Sequence, residues 1–237
     1  MKYFFSGADN HIIKAGARNI LLSYATHKNA PKHFAHRPEF TLIIDSGAFT
    51  VWNTGGTINI DDYIAYCKLG SPDWTYINLD VIPQTGSTKA QIEEAVEKSK
   101  QNFLYIKKHG FKVMPVFHYG ENLDVLKWYM NHTDYIGISP ANDTHEKVKR
   151  EFLDTVFSVT RDKCKCHGLG YSSFEGLTKY PFYSVDSISF RRTKMDDLAF
   201  FNSNKKLMIL QKQSVAKFMK YEAYVTELWK ERGIEWQ

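Results

Sequence analysis

The feature that most constrains this chain is a pattern repeated along its length. A short apolar run, rich in β-branched and aromatic residues, is closed by a polar residue or a glycine and followed by a helical stretch. The clearest instance is Thr41-Leu42-Ile43-Ile44-Asp45-Ser46-Gly47-Ala48-Phe49. Leu42, Ile43 and Ile44 read as a buried strand, Asp45 falls at its end, and Ser46-Gly47 turn the chain sharply. Further strand candidates occupy residues 3–6, 19–24, 74–80, 113–118, 135–139, 165–168 and 183–188. Helical patterns follow at 60–69, 88–109, 123–130, 144–161 and 174–179, with a last one at 214–232. Apolar strands alternating with helices mark a parallel sheet covered by helices. About eight such strands without a break in composition predict one α/β domain over residues 1–237, a compact (β/α)8 TIM-type barrel with some helices short or missing. A doubly wound open sheet is the alternative.

Local signals refine the elements. Thr88 and Gln91 have capping-box spacing, Gly110 follows as a stop, and Ile92, Val96, Phe103 and Ile106 share one face. In the 144–161 helix Val148, Phe152, Val156 and Val159 are expected to face inward. Asp61 or Asp62 is expected to start the helix after the Gly55-Gly56 turn. Residues 25–39, polar and carrying three histidines and two prolines, read as a surface loop. The 43% of hydrophobic residues is ample for a sizeable core, so disorder is not expected. A net charge of +5 permits a polyanionic partner without requiring one. Three cysteines cannot make a disulfide framework and no leader precedes the first strand, which together predict a cytoplasmic protein. Nowhere do about 18 apolar residues run together, so neither a membrane span nor a membrane partner is expected.

The polar endings of the strands carry the functional reading. Asp45, Asp80, His118, Gly137 with Ser139, Gly168 with Gly170, and Asp186 each sit at or just past a strand end. In a barrel those ends converge on one mouth. Singly, each has a plainer account: an aspartate capping a turn, a hydrogen-bonded rim histidine, glycines that permit a bend. Three aspartates and a histidine at one topological end point together to a shared pocket.

In order and spelling these motifs resemble the tRNA-guanine transglycosylase superfamily, and look most similar to its small phage and bacterial relatives associated with 7-deazaguanine insertion into DNA. Asp45-Ser46-Gly47-Ala48-Phe49 resembles the family's Asp-Ser-Gly-Gly-Phe signature, with Ala48 replacing the second glycine. Asn78-Leu79-Asp80 is similar to the strand end whose aspartate recognises the base. His118, closing Pro115-Val116-Phe117-His118, departs from the base-binding glutamine usual there. Tyr135-Ile136-Gly137-Ile138 resembles the glycine strand whose backbone touches the base, and Gly168-Leu169-Gly170 the later Gly-x-Gly turn. Ser184-Val185-Asp186-Ser187 sits where the family carries its nucleophilic aspartate, and the resemblance extends over residues 45–192.

The resemblance implies Asp186 as nucleophile and Asp45 as general acid and base, with Asp80, His118, Gly137, Ser46, Gly47 and Gly170 binding substrate. Arg191, Arg192 and Lys194, just beyond Asp186, are candidates for phosphate contacts or a solvated basic turn. Phe49, Tyr119 and Tyr171 lie near strand lips, where they could stack on a base or pack the rim. The family's tRNA enzymes carry a zinc-binding insertion after the nucleophile, yet no Cys or His follows Asp186 here. Cys164-Lys165-Cys166-His167 has the composition of a metal site but lies before it. Hence no metal, no zinc insertion and no cofactor are expected, and DNA is expected as the polymer rather than tRNA. The partners implied are DNA, a free 7-deazaguanine-type base, and a second copy or partner subunit. The expected reaction exchanges guanine for a 7-deazaguanine through a covalent aspartyl–sugar intermediate. The alternatives are a glycosylase that excises a base with the same carboxylates and a non-catalytic nucleic-acid-binding barrel.

Overall fold

A computed structural model describes residues 1–7, 9–83, 86–140, 144–191 and 204–236. The first half runs β1 (Lys2–Ser6), α1 (Asn10–Lys14), β2 (Asn19–Ser23), α2 (Ala30–Phe34), β3 (Thr41–Asp45), α3 (Ala48–Thr54), α4 (Ile60–Cys67), β4 (Thr75–Ile77) and α5 (Lys89–Lys108). The second half runs β5 (Lys112–Met114), β6 (Val116–His118), α6 (Leu123–Met130), β7 (Tyr135–Ser139), α7 (Glu146–Thr160), β8 (Lys165–Gly168), α8 (Phe174–Lys179) and β9 (Ser184–Ser187). A 3-10 turn (Ser189–Arg191) and the long α9 (Asn204–Glu231) complete it.

The nine strands form one parallel sheet in the order β5-β4-β3-β2-β1-β9-β8-β7-β6. The two strands at the ends of that order are separated in sequence by Pro115 alone. A proline has no N–H to give a ladder, so pairing is interrupted there. The carbonyls carry on: Asn78 N–H donates to Met114 O at 2.9 Å, and Gly137 N–H to Pro115 O at 2.8 Å. The sheet thus curls until its edges almost meet. The fold is α/β, a nearly closed parallel barrel flanked by helices and compatible with a TIM-like architecture.

Alternation along the strands divides the core in two. Phe4, Leu21, Ile43, Ile77, Met114 and Val116 fill the barrel interior, with Tyr135 and Leu169 against them. Tyr3, Phe5, Ile20, Leu22, Leu42 and Ile44 face the other way, into the layer under the helices. Tyr3 there stacks on Phe218 of α9 at 4.6 Å, and Trp229 Nε1 donates to Leu177 O on α8 at 2.9 Å. Register then fixes what lies above the apolar interior. Leu21 pairs with Ile43 and Ser23 with Asp45; Phe4 pairs with Asp186; His167 pairs with both Gly137 and Ser184. Residues paired this way point to the same side of a parallel sheet, so Asp45, Asp186 and His167 all face inward.

Several expectations need correction. Residues 25–39 are not simply a surface loop, because α2 lies within them and buries Ala30, Pro31 and Phe34. Pro31 falls in its first turn, where a missing N–H is harmless, and Phe34 packs edge-on against Phe40. Asn59, not Asp61 or Asp62, caps α4, its Oδ1 accepting from Asp61 N and Asp62 N. The inner face of α7 is rotated toward Leu153 and Phe157, which are buried with Val156, while Val148, Phe152 and Val159 are half-buried. α9 starts at Asn204 rather than 214. The Thr88–Gln91 capping box closes as expected. Among the described residues no helix is long and apolar enough to cross a membrane.

Candidate active site

Asp45 stands at the carboxyl end of β3, and the two residues after it explain how it is held. Ser46 is fully buried and its hydroxyl donates to Asn78 O at 2.8 Å, tying the end of β3 to the end of β4. That role is structural. Gly47 has φ +83°, and a Cβ there would fall 2.5 Å from the Ala25 Cβ, so the turn accepts no side chain. The Asp45 carboxyl is pushed up to about 6. Burial is the main cause; the Gly47 N–H and the Ser23 hydroxyl pull it down, and the charges of Asp186 and Asp80 push it further up. The three carboxylates named from sequence therefore share one rim and feel one another.

Asp80 lies three residues past β4. Its Oδ1 accepts from Asn78 Nδ2 at 3.0 Å and its Oδ2 stands 3.3 Å from His118 Nε2. Asn78 is itself fixed by donating to Ser99 O at 2.9 Å. Burial lowers the His118 imidazole, but the hydrogen bond and charge of Asp80, with the charge of Glu121, outweigh it and leave the pKa raised. Glu121 Oε2 accepts from the His118 N–H at 3.2 Å, and burial lifts the Glu121 carboxyl to about 7. Glu121 was not legible as a site residue; its spacing three after His118 is the one signal it left.

Asp186 is buried on β9 with both oxygens engaged. Ser6 Oγ donates to Oδ2 at 2.7 Å and Gly170 N–H donates to Oδ1 at 2.8 Å. Gly170 takes φ +61° to aim that N–H. His167 Nε2 stands 3.3 Å from Oδ1, within ion-pair distance but not aligned as a closed hydrogen bond. Behind it, His167 Nδ1 lies 2.6 Å from Ser184 Oγ, which lies 2.5 Å from the Tyr135 hydroxyl. Ser6, Ser184, Tyr135 and His167 were not read from sequence as site residues. Beside Asp186 opens a cavity of about 430 Å³, lined by Gly170, Ser172, Ser187, Ser189 and Lys149 among others.

The remaining residues divide. Gly137 faces the interior, where a Cβ would meet Val116 at 3.2 Å and Leu169 at 3.4 Å, so its smallness serves packing as well as access. Phe49 is 65% exposed and stacked on Trp52, and Tyr119 is 48% exposed, so both can meet a base. Tyr171 is buried against Phe182 and belongs to the core. Arg191 ends the 3-10 turn directly after β9, while Arg192 and Lys194 lie outside the described residues. In the Cys164–His167 run both thiols donate to backbone carbonyls and His167 turns into the barrel, so the three side chains do not converge. No protein-family model matches the chain, and no curated protein matches it.

Proposed function

We propose that the chain is a nucleic-acid base transglycosylase that exchanges guanine for a 7-deazaguanine in DNA. The observation that carries this reading is one rim holding an anchored carboxylate, Asp186, and a second carboxyl, Asp45, raised to about 6 chiefly by its burial and further by the charges of Asp186 and Asp80. The motif resemblance set out above supports it. The architecture is compatible with it: with residues 112–118 taken as one stave bent at Pro115 the staves number eight, and in (β/α)8 barrels active sites lie at this end.

The chemistry has two balanced halves. Asp186 attacks C1′ of a nucleotide that is single-stranded or flipped from the stack, and the C1′–N9 bond breaks with its electron pair leaving on the base. Asp45, with a carboxyl near 6, gives that base its proton, and in the second half takes one from the incoming base. The incoming nitrogen attacks C1′, the sugar–ester bond breaks, and the Asp186 carboxylate is regenerated. Asp80 keeps a lone pair on each oxygen for the N–H groups of a guanine-like edge, and His118, held protonated to higher pH, donates to a carbonyl on the same base. Phe49 and Tyr119 offer rings for the neighbouring bases.

The test is incubation with single-stranded DNA carrying labelled guanine, together with free 7-deazaguanine. Release of guanine matched by incorporation is the expected result, abolished in Asp186→Asn with the fold intact. Release without incorporation supports excision instead, neither supports a binding role, and full activity of Asp186→Asn overturns the nucleophile.

A further inference from the structure

His167 is fully buried inside the barrel, and its Nε2 has no closed hydrogen bond although Asp186 Oδ1 stands 3.3 Å away. A buried imidazole nitrogen left in this state is costly, which makes the arrangement informative. The chain behind the ring has a direction. In a neutral ring, one arrangement avoids setting a bare Nε2 lone pair against the anion. In it the Tyr135 hydroxyl donates to Ser184 Oγ and Ser184 donates to His167 Nδ1, which puts the ring proton on Nε2, on the side of the carboxylate. Each oxygen accepts one hydrogen bond, Oδ1 from Gly170 N–H and Oδ2 from Ser6, but the imidazole stands beside Oδ1 alone, which makes Oδ2 the oxygen assigned to the attack.

We infer that His167 is a positioning residue for Asp186, its Nε2–H closing on Oδ1 as the sugar ester forms and holding that oxygen while the ester is broken. The inference rests on the base-exchange reading above. When Oδ2 bonds to C1′, Oδ1 becomes the ester carbonyl; when the incoming nitrogen displaces the carboxylate, the electron pair of the breaking C1′–Oδ2 bond spreads back onto Oδ1. Donors from Gly170 and His167 stabilise that returning charge, and apo hydrogen bonds of this kind tighten in the loaded enzyme. Ser184 and Tyr135 act one and two steps further back, fixing which nitrogen bears the proton. The lesser effect falls on substrate binding, because none of the three side chains faces the cavity opening.

Two measurements decide it. In protein labelled with 15N-histidine, His167 is expected as the Nε2–H tautomer, and its Nε2 resonance is expected to move in Asp186→Asn and the tautomer to be lost in Ser184→Ala. An Nδ1–H tautomer, or an Nε2 signal indifferent to Asp186→Asn, overturns the inference. In exchange assays His167→Leu is expected to lose about 10- to 100-fold in kcat with KM little changed, and to accumulate the DNA–protein adduct on denaturing gels. His167→Gln, which retains an N–H at the corresponding place, is expected to recover most of that loss. Equal kcat in the Leu variant and wild type, or no difference between Leu and Gln variants that both fold, overturns it. If wild-type protein gives neither exchange nor adduct, the transglycosylase reading fails, and the resonance arm still decides whether His167 holds Asp186.

Discussion

Replacing Asp45 by Asn should make the protein more stable while removing the proposed exchange activity, and the size and pH dependence of the gain follow from the site. Burial and the charges of Asp186 and Asp80 raise the Asp45 carboxyl from 3.8 to about 6 in the folded chain. At about 1.36 kcal/mol for each tenfold change in proton affinity, that rise means the ionised carboxylate costs the fold about 3 kcal/mol above about pH 7. The sign is set by the folded state binding the proton more tightly than the unfolded chain. Asp45 therefore contributes most favourably below its ordinary 3.8, and the contribution is lost as pH rises through about 6. Asparagine keeps an oxygen for the Gly47 N–H but carries no charge. Asp45→Asn should thus gain up to about 3 kcal/mol near pH 8, or about 6–12 °C in melting temperature for a chain of this length, and nothing near pH 3. Denaturant titrations of both proteins at the two pH values measure it. A variant no more stable than wild type at the higher pH, or a gain that persists unchanged at the lower, would refute the picture of carboxylates crowded at one rim.

Two other perturbations probe the same rim. Gly47→Ala places a Cβ 2.5 Å from Ala25 in a residue with φ +83°; left-handed strain and overpacking together should cost about 2–5 kcal/mol, and a denaturant midpoint giving a loss below about 1 kcal/mol would show that the turn can relax. Asp80→Asn removes the charge that helps hold the His118 imidazole up against its burial, so its pKa should fall from the wild-type value. In wild type that raised pKa stabilises the fold below 6.5 and the benefit is lost as pH rises through the folded value. NMR titration of the His118 ring reads the change, and an unchanged midpoint would detach His118 from Asp80.

What could be read from the sequence was whatever depends on one strand at a time. Leu42-Ile43-Ile44 declares a buried strand by composition, and Asp45, Asp80 and Asp186 declare themselves by ending or interrupting one. The ends of α6 fell where periodicity placed them, and both α6 and α8 start at side-chain caps, Asn122 and Ser173, which mark a helix start even where the helix is short. What could not be read depends on register between strands. His167 meets Ser184 because β8 and β9 pair with those two residues side by side, and Ser6 reaches Asp186 across the seam between β1 and β9, 180 residues away in the chain. A polar residue alternating with apolar ones looks the same in sequence whether it faces water or the inside of a barrel. The short helices α1, α2 and α3 escaped for another reason: five to seven residues give too few turns for a periodicity to show.

Register also explains how a barrel this small tolerates so many buried polar groups. Along β1, β2 and β3 the inward positions are apolar first and polar two residues later: Phe4 then Ser6, Leu21 then Ser23, Ile43 then Asp45. The far side repeats it, with Met114 and Val116 below His118. Inward parity is unbroken across Pro115, so the residue that interrupts the ladder leaves the layering intact. The lower layer excludes water and gains from burial, which offsets the cost of desolvating the upper layer. Each upper carboxylate is then met by its own donors: Ser6 and Gly170 on Asp186, Asn78 and His118 on Asp80, and the Gly47 N–H on Asp45. For Asp45 the donors do not offset its burial, and the charges of Asp186 and Asp80 add to the rise. Moving a proton on and off near pH 7 demands a group of that kind, so a carboxyl that weakens the fold when ionised is also one suited to acid–base work.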